Sequence, residues 1–347
     1  MEIVAGMSDR IRLADVAAYA QRVEALGVDT LHVPETIHDG LIVSTLALQA
    51  TTRLHVRTAL ILAFVRSPMQ VALTAWELQR ESGGRFGLGL GTQIRQNIEG
   101  RFGVPWTNPV RRMGAYVEAV RACWHSFATG DPLHVDTADY KLTRLQPFFN
   151  PGPLPDGIAA PEIALGGVNE EMCQLGGRAA DVFVTHPTNS APRYISDLCL
   201  PNLKIGASVA NRQVPSLISG TPMIVGVDDA AAAATRESQR TVFGFLLSTP
   251  AYRRSLELYG WPELSAQLRW ITRKGEWDRL RELIDDDVLD QLIPQGTFDT
   301  IAAVLAERFG GLIDGLAVPV QGQEDDDRLR GLINEIRTIP TRRSAAG

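Results

Sequence analysis

Only three cysteines occur in 347 residues, Cys123, Cys173 and Cys199, and they stand far apart. Neither a metal-binding pair nor a disulfide framework can be drawn from them, so they read as reduced, buried thiols. No apolar run approaches the roughly 18 residues that a membrane span needs. Positive charge is not in excess. The net charge is −6, which disfavours nucleic acid and anionic membrane as partners. A basic leader with an apolar stretch behind it is also missing. The chain opens directly on strand-like Glu2-Ile3-Val4-Ala5, and a cytoplasmic location is the expectation. Among catalytic signatures, GxSxG is absent, and no GxGxxG follows the first strand. What is present is 45% hydrophobic and 21% charged residues, enough for one large α/β domain or two smaller ones.

Periodicity predicts strands at 2–6, 28–33, 54–63, 85–91, 161–165, 180–185, 216–226 and 313–320. Helical stripes lie between them, at 9–26, 42–52, from Ser67-Pro68, from Asn108-Pro109, at 168–175, around 193–200, after Asp228, at 297–309 and after Glu324. Serine or asparagine followed by proline is a helix start. Strand and helix alternate eight times, which predicts a (β/α)8 TIM barrel as a single domain over 1–340. Two insertions are expected, at about 129–160 and 249–296, with a flexible tail over 341–347. A doubly wound sheet is the alternative, disfavoured because the glycine-rich strand is the fourth.

That fourth strand organises the functional reading. Phe86, Leu88 and Leu90 alternate with Gly87, Gly89 and Gly91, so one face carries bulk and the other nothing. Glycine within a strand marks close approach of a ligand or of another backbone. The strand empties into Thr92-Gln93, which offer hydrogen-bonding groups. In a barrel the site lies at the C-terminal strand ends. Those ends hold Gly6-Met7, Glu35 to Asp39, residues 61–64, Thr92-Gln93, Gly166-Gly167, His186 and Val320. His38, Asp39 and His186 could in principle ligate a metal, but three or four ligands are usual and no metal is expected. Gly166-Gly167 before a helix is either a tight turn or a phosphate seat. A smooth wall, donors and a phosphate seat suit a flat phosphorylated cofactor, and the scarcity of acids and bases suits hydride chemistry.

These residues resemble the bacterial luciferase-like superfamily, and within it the coenzyme F420-dependent oxidoreductases. The matching stretches are Pro34-Glu35-Thr36-Ile37-His38-Asp39, Arg57-Thr58-Ala59-Leu60 through Arg66-Ser67-Pro68, and Ser82-Gly83-Gly84-Arg85-Phe86 through Gly91-Thr92-Gln93. Arg101-Phe102-Gly103-Val104-Pro105-Trp106, the run Pro147 to Pro153, and Ser248-Thr249-Pro250-Ala251-Tyr252 resemble its F420 branch. The resemblance implies a TIM barrel, usually a homodimer, that moves a hydride between the deazaflavin coenzyme F420 and a small organic substrate. It implies a phosphate at Gly166, Gly167 and Val168, a tail at Thr92 and Gln93, and a non-proline cis peptide at Ala59-Leu60 behind the ring. Gly6 and Thr58 belong to the same cofactor-binding set. His38 or Glu35 would stand beside the reacting carbon, with His186 as a second candidate. The alternatives are FMN as cofactor, in a reduced-FMN monooxygenase, and a non-catalytic flavin-binding barrel. Departures from the branch pattern occur at Asp39-Gly40-Leu41 and at residues 243–247, both near the expected substrate pocket. Basic residues that a sugar-phosphate-oxidising relative carries after strands six and seven have no match.

Overall fold

A computed structural model describes residues 1–320 and 325–344. Eight parallel strands close into a barrel: β1 Glu2–Gly6, β2 Thr30–Val33, β3 His55–Thr58, β4 Phe86–Gly91, β5 Glu162–Gly166, β6 Val182–Val184, β7 Ser216–Ser219 and β8 Gly315–Val318. The order runs β3-β2-β1-β8-β7-β6-β5-β4, and β3 pairs back onto β4. Register places Glu2 opposite Gly315, Val4 opposite Thr30, and Val56 opposite Phe86.

Alternation along the strands sorts the side chains. Ile3, Leu31, Val56, Phe86, Leu88, Ile163, Phe183 and Leu217 join the main core between sheet and helices. Each such burial contributes about 1.5–3 kcal/mol. Inside the barrel, Val4, Ala164, Val182 and Ile218 form a small apolar layer. Its neighbour is polar. Arg57 is 5% exposed and donates from Nε to Glu162 at 2.8 Å and from Nη1 to Nε2 of His32 at 3.0 Å. Burial, reinforced by the Arg57 charge, holds His32 well below the usual histidine pKa. A Cβ on Gly87 would come within 3.1 Å of Arg57 Cγ, so this glycine makes room for the guanidinium stem.

Several expected boundaries move. The first helix starts as a 3-10 turn at Leu13 and becomes α-helical over Val16–Ala25, because residues before it fold back onto Ser8 through the amides of Arg10 and Ile11. The third strand breaks after Thr58 and resumes as Ile61–Leu62. The expected strand 216–226 is two strands. Its second part, Ile224–Gly226, leaves the barrel and pairs with Gln295–Thr297. Consequently the second insertion begins earlier than 249. The helix Asp229–Leu247, capped by Asp228 as expected, contributes Phe243 and Leu247 to a separate core with Leu268, Leu289 and Ile293. The helix Ile301–Phe309 packs on the main core instead. A short helix, Arg95–Gly100, was missed because only Ile98 in it is buried. The expected hairpin in the first insertion is present, Val135–Asp136 against Lys141–Leu142. The tail is corrected in part: Arg342 donates from Nε to Asp314 at 3.1 Å, and its amide bonds to Ile313. Residues 345–347 lie outside the described residues. Among the described residues no helix is long and apolar enough to cross a membrane.

Candidate active site

The glycines of β4 are explained by the chain itself. A Cβ on Gly89 would sit 1.8 Å from the Thr58 carbonyl oxygen, and one on Gly91 would sit 3.2 Å from Leu60 Cβ. A Cβ on Gly166, at the end of β5, would be 2.8 Å from Leu60 Cδ1. The bare face therefore accommodates the bend of β3. Leu60 lies across the ends of β4 and β5 as a partly exposed floor, and the Ala59–Leu60 peptide is cis. The open wall expected from the glycine alternation is thus corrected: another backbone approaches it. Thr58 is also corrected. It is fully buried, its hydroxyl donates to the Gly89 carbonyl at 2.9 Å and accepts from the Gly89 amide at 2.8 Å. Thr58 stitches β3 to β4 and offers nothing to the mouth.

The superfamily-like Arg85 is structural as well. Its guanidinium donates to the carbonyls of Leu54, Thr51, Leu48 and Ser82. Those bonds tie the helix Gly40–Ala50 to the turn before β4, which is why arginine follows Ser82-Gly83-Gly84.

On the β2–β3 side the mouth is held by charge. Arg66 donates to both oxygens of Glu35, at 2.8 Å to Oε2, and to Asp39 at 2.8 Å. The Leu62 amide donates to Glu35 Oε2 at 2.6 Å. Both Glu35 oxygens are therefore engaged, and its nomination as the group beside the reacting carbon is corrected to that of a clamp between β2 and β3. Burial opposes ionisation of Asp39, but Arg66 and the amides of Leu41 and Ile42 outweigh it and keep the carboxyl below its usual range. Asp39 also caps the helix Gly40–Ala50 through the Leu41 amide. Arg101, beyond β4, donates to the Thr36 carbonyl at 2.7 Å and pins the same loop. His38 rides on this fixed loop. It is half-buried beside Met7, Ile11, Pro34 and Thr36, and its ring has no hydrogen-bond partner among the described residues.

On the β5–β6 side the mouth is held mainly by amides and hydroxyls, with an ion pair from Glu170 to Arg254 of the second insertion at 2.5 Å. The helix expected from Val168 begins at Glu170, with Asn169 as N-cap accepting from the Met172 amide at 2.9 Å. The amides of Val168 and Asn169 donate to no group among the described residues, and they stand just before a ten-residue helix whose first turn carries Glu170 and Glu171. That donor set fits a phosphate. Gly167 is needed for a different reason, since a Cβ there would lie 2.3 Å from Met172 Cγ. Gln93 takes a left-handed φ of 57°, and its Oε1 accepts from the Ile94 amide at 2.9 Å. The Gln93 side-chain nitrogen has no partner among the described residues, which leaves it for a ligand. His186 ends β6, stacked on Tyr252 of the second insertion at 4.3 Å. Burial pushes its pKa down to about 4. His38, Asp39 and His186 do not converge, and among the described residues no three side chains of metal-ligating type do.

A closed parallel barrel with Leu60 as a partly exposed floor and two histidines at its mouth is the architecture of luciferase-like oxidoreductases, a family that works with coenzyme F420 or FMN. Residues 2–315 match the model of the luciferase-like monooxygenase family, and the chain belongs to that family. An uncharacterized protein of Mycobacterium tuberculosis is 37% identical over 305 residues, covering 87% of this chain and 89% of that one. The coenzyme F420-dependent tetrahydromethanopterin reductase of Methanopyrus kandleri superposes with a TM-score of 0.75 at 17% identity, over 98% of each chain. The oxygenating constituent of the 3,6-diketocamphane monooxygenase of Pseudomonas putida, solved with FMN, superposes at 0.69 and 15% identity, over 99% of this chain and 98% of that one.

Proposed function

We propose that this protein is an oxidoreductase that moves a hydride between coenzyme F420 and a small organic substrate. The observation that carries the proposal is the pair of unpartnered amides at Val168 and Asn169, set at a helix start beside the Leu60 floor. The preference for the deazaflavin over FMN is supported by the F420-branch stretches at 101–106 and 147–153. When bound, the deazaflavin supplies two-electron hydride chemistry.

The protein's own part is positional. Val168 and Asn169 would receive the phosphate through charge-assisted hydrogen bonds. Gln93 would hold the tail, and Leu60 would keep the ring flat and dry. His38, held at the mouth by the Asp39-capped helix and the Arg101–Thr36 bond, would carry the proton that accompanies the hydride. Imidazole is the side chain that most often takes this role in general acid–base chemistry.

Fluorescence titration of the pure protein with F420 and with FMN is the test. F420 is expected to bind at least about tenfold tighter, or about 1.4 kcal/mol. Equal or reversed affinities would favour the reduced-FMN monooxygenase.

A further inference from the structure

His186 is half-buried in a network that no proton-transfer role requires. The Thr188 amide donates to its Nδ1 at 3.3 Å, and the Thr188 hydroxyl lies 2.8 Å from the same nitrogen. Asn189, fully buried, bridges Thr188 at 2.8 Å and Ser255 of the second insertion at 2.9 Å. Ser190 contacts the Thr185 hydroxyl at 2.5 Å and donates to the His186 carbonyl at 2.8 Å. The imidazole ring is then pressed on Tyr252, with 19° between the planes.

A backbone N–H cannot reverse its direction, so Nδ1 is the nitrogen with the lone pair. The Thr188 hydroxyl then donates to it, Asn189 turns its Nδ2 rather than its Oδ1 to that hydroxyl and accepts from Ser255, and the ring proton sits on Nε2. Among the described residues Nε2 has no hydrogen-bond partner. Unlike the Tyr116 and Tyr194 hydroxyls, which among the described residues are sealed off without a partner, this nitrogen is not shut away from solvent. Nε2–H is therefore both free and reachable. No charged side chain contacts the ring, and burial alone accounts for its lowered basicity. Such a site holds no counter-charge for an anionic group.

We infer that His186 positions the substrate: its Nε2–H is a fixed, neutral hydrogen-bond donor for an uncharged oxygen, a carbonyl or a hydroxyl, seated against Tyr252. This deepens the proposed function, on which it rests only for the identity of the bound molecule as substrate. No proton crosses this contact, which separates the task of His186 from that of His38. The second insertion also gains a purpose, because Tyr252 and Ser255 set the angle at which the donor is offered.

The test is long-range proton–nitrogen NMR of the histidine side chains in the full chain, assigned with His186→Phe, using acetone as the probe. The expected result is an Nε2–H tautomer that does not titrate from neutral pH down to about pH 5, unlike a free histidine near 6.5. Acetone should shift the Nε2 resonance saturably. His186→Phe keeps an aromatic ring for the stack but lacks the donor, and should weaken acetone binding about threefold to tenfold. A proton on Nδ1, a titration near 6.5, or indifference to acetone would overturn the proposal. Should the phenylalanine variant fail to fold, the tautomer and acetone response of the unaltered protein decide. Failure of F420 to bind in a parallel fluorescence titration would defeat the functional reading while leaving the donor site standing.

Discussion

The two rims of the barrel mouth are built from different chemistry. Over β2 and β3, the Arg66–Glu35–Asp39 cluster fixes a loop by charge, and the histidine it carries stays half-exposed. Over β5 and β6, the Glu170–Arg254 ion pair stands at the edge, amides and hydroxyls fix the loop, and the histidine there is stacked and kept neutral. Burial disfavours the charged imidazole, so the histidine over β6 is held neutral, while the charged rim leaves its own histidine beside solvent.

The comparison breaks most visibly at His38. Replacing His38 with alanine is expected to slow hydride transfer by about 10² to 10⁴, the usual loss for a general acid or base, with coenzyme affinity little altered. Single-turnover kinetics beside a binding titration reads both. Normal turnover in that variant, with turnover lost in His186→Phe, would exchange the roles of the two rims.

A second effect of similar size concerns folding. Arg66→Met leaves the Glu35 carboxylate, 8% exposed, without its partner. Removal of one member of a buried pair costs about 3–5 kcal/mol, and urea unfolding should show it. An unchanged midpoint would mean that the charged rim does not hold the loop.

Acid should act on the β5–β6 rim. The folded pKa of His186, about 4, lies below the unfolded value of about 6.5. Between those values the unfolded chain binds a proton that the folded chain refuses. Stability is then full above pH 6.5 and declines as pH falls toward 4, by about 3 kcal/mol for this residue. His32, depressed in the same direction by burial and Arg57, adds to the decline. Denaturation midpoints across this range in His186→Phe should show a shallower slope than the unaltered protein, and identical slopes would refute the assignment. The smallest effect is expected at the start of the helix Glu170–Ala179. Asn169→Ala removes the cap on the Met172 amide and should cost about 1 kcal/mol of stability, measured by thermal melts without coenzyme.

The parts of the site that were legible beforehand are those written in local chemistry. The Asp228 and Asn108 caps and the ends of the first, second and fourth strands follow from residues adjacent in the chain. Glu35 and Thr58 were misjudged because their partners, Arg66 and Gly89, come from other strands or loops. A carboxylate in a loop after a strand reads the same whether it is free or clamped. The helix Asp229–Leu247 was placed on the barrel for a related reason: its apolar stripe does not say which core it faces, and Phe243 and Leu247 turn to the insertion.

By itself the chain determined its eightfold alternation, its barrel, and the stretches that mark its family, since these depend on period, turns and caps within short windows. Only the tertiary structure decided what the glycines of β4 are for, which carboxylate is spoken for, and which histidine is neutral. Each of those depends on a contact between distant segments. Leu60 comes to lie against Gly91 and Gly166, Arg66 against Glu35, and Tyr252 against His186. Burial and pairing set the charge state of such groups, and neither exists until the barrel has closed.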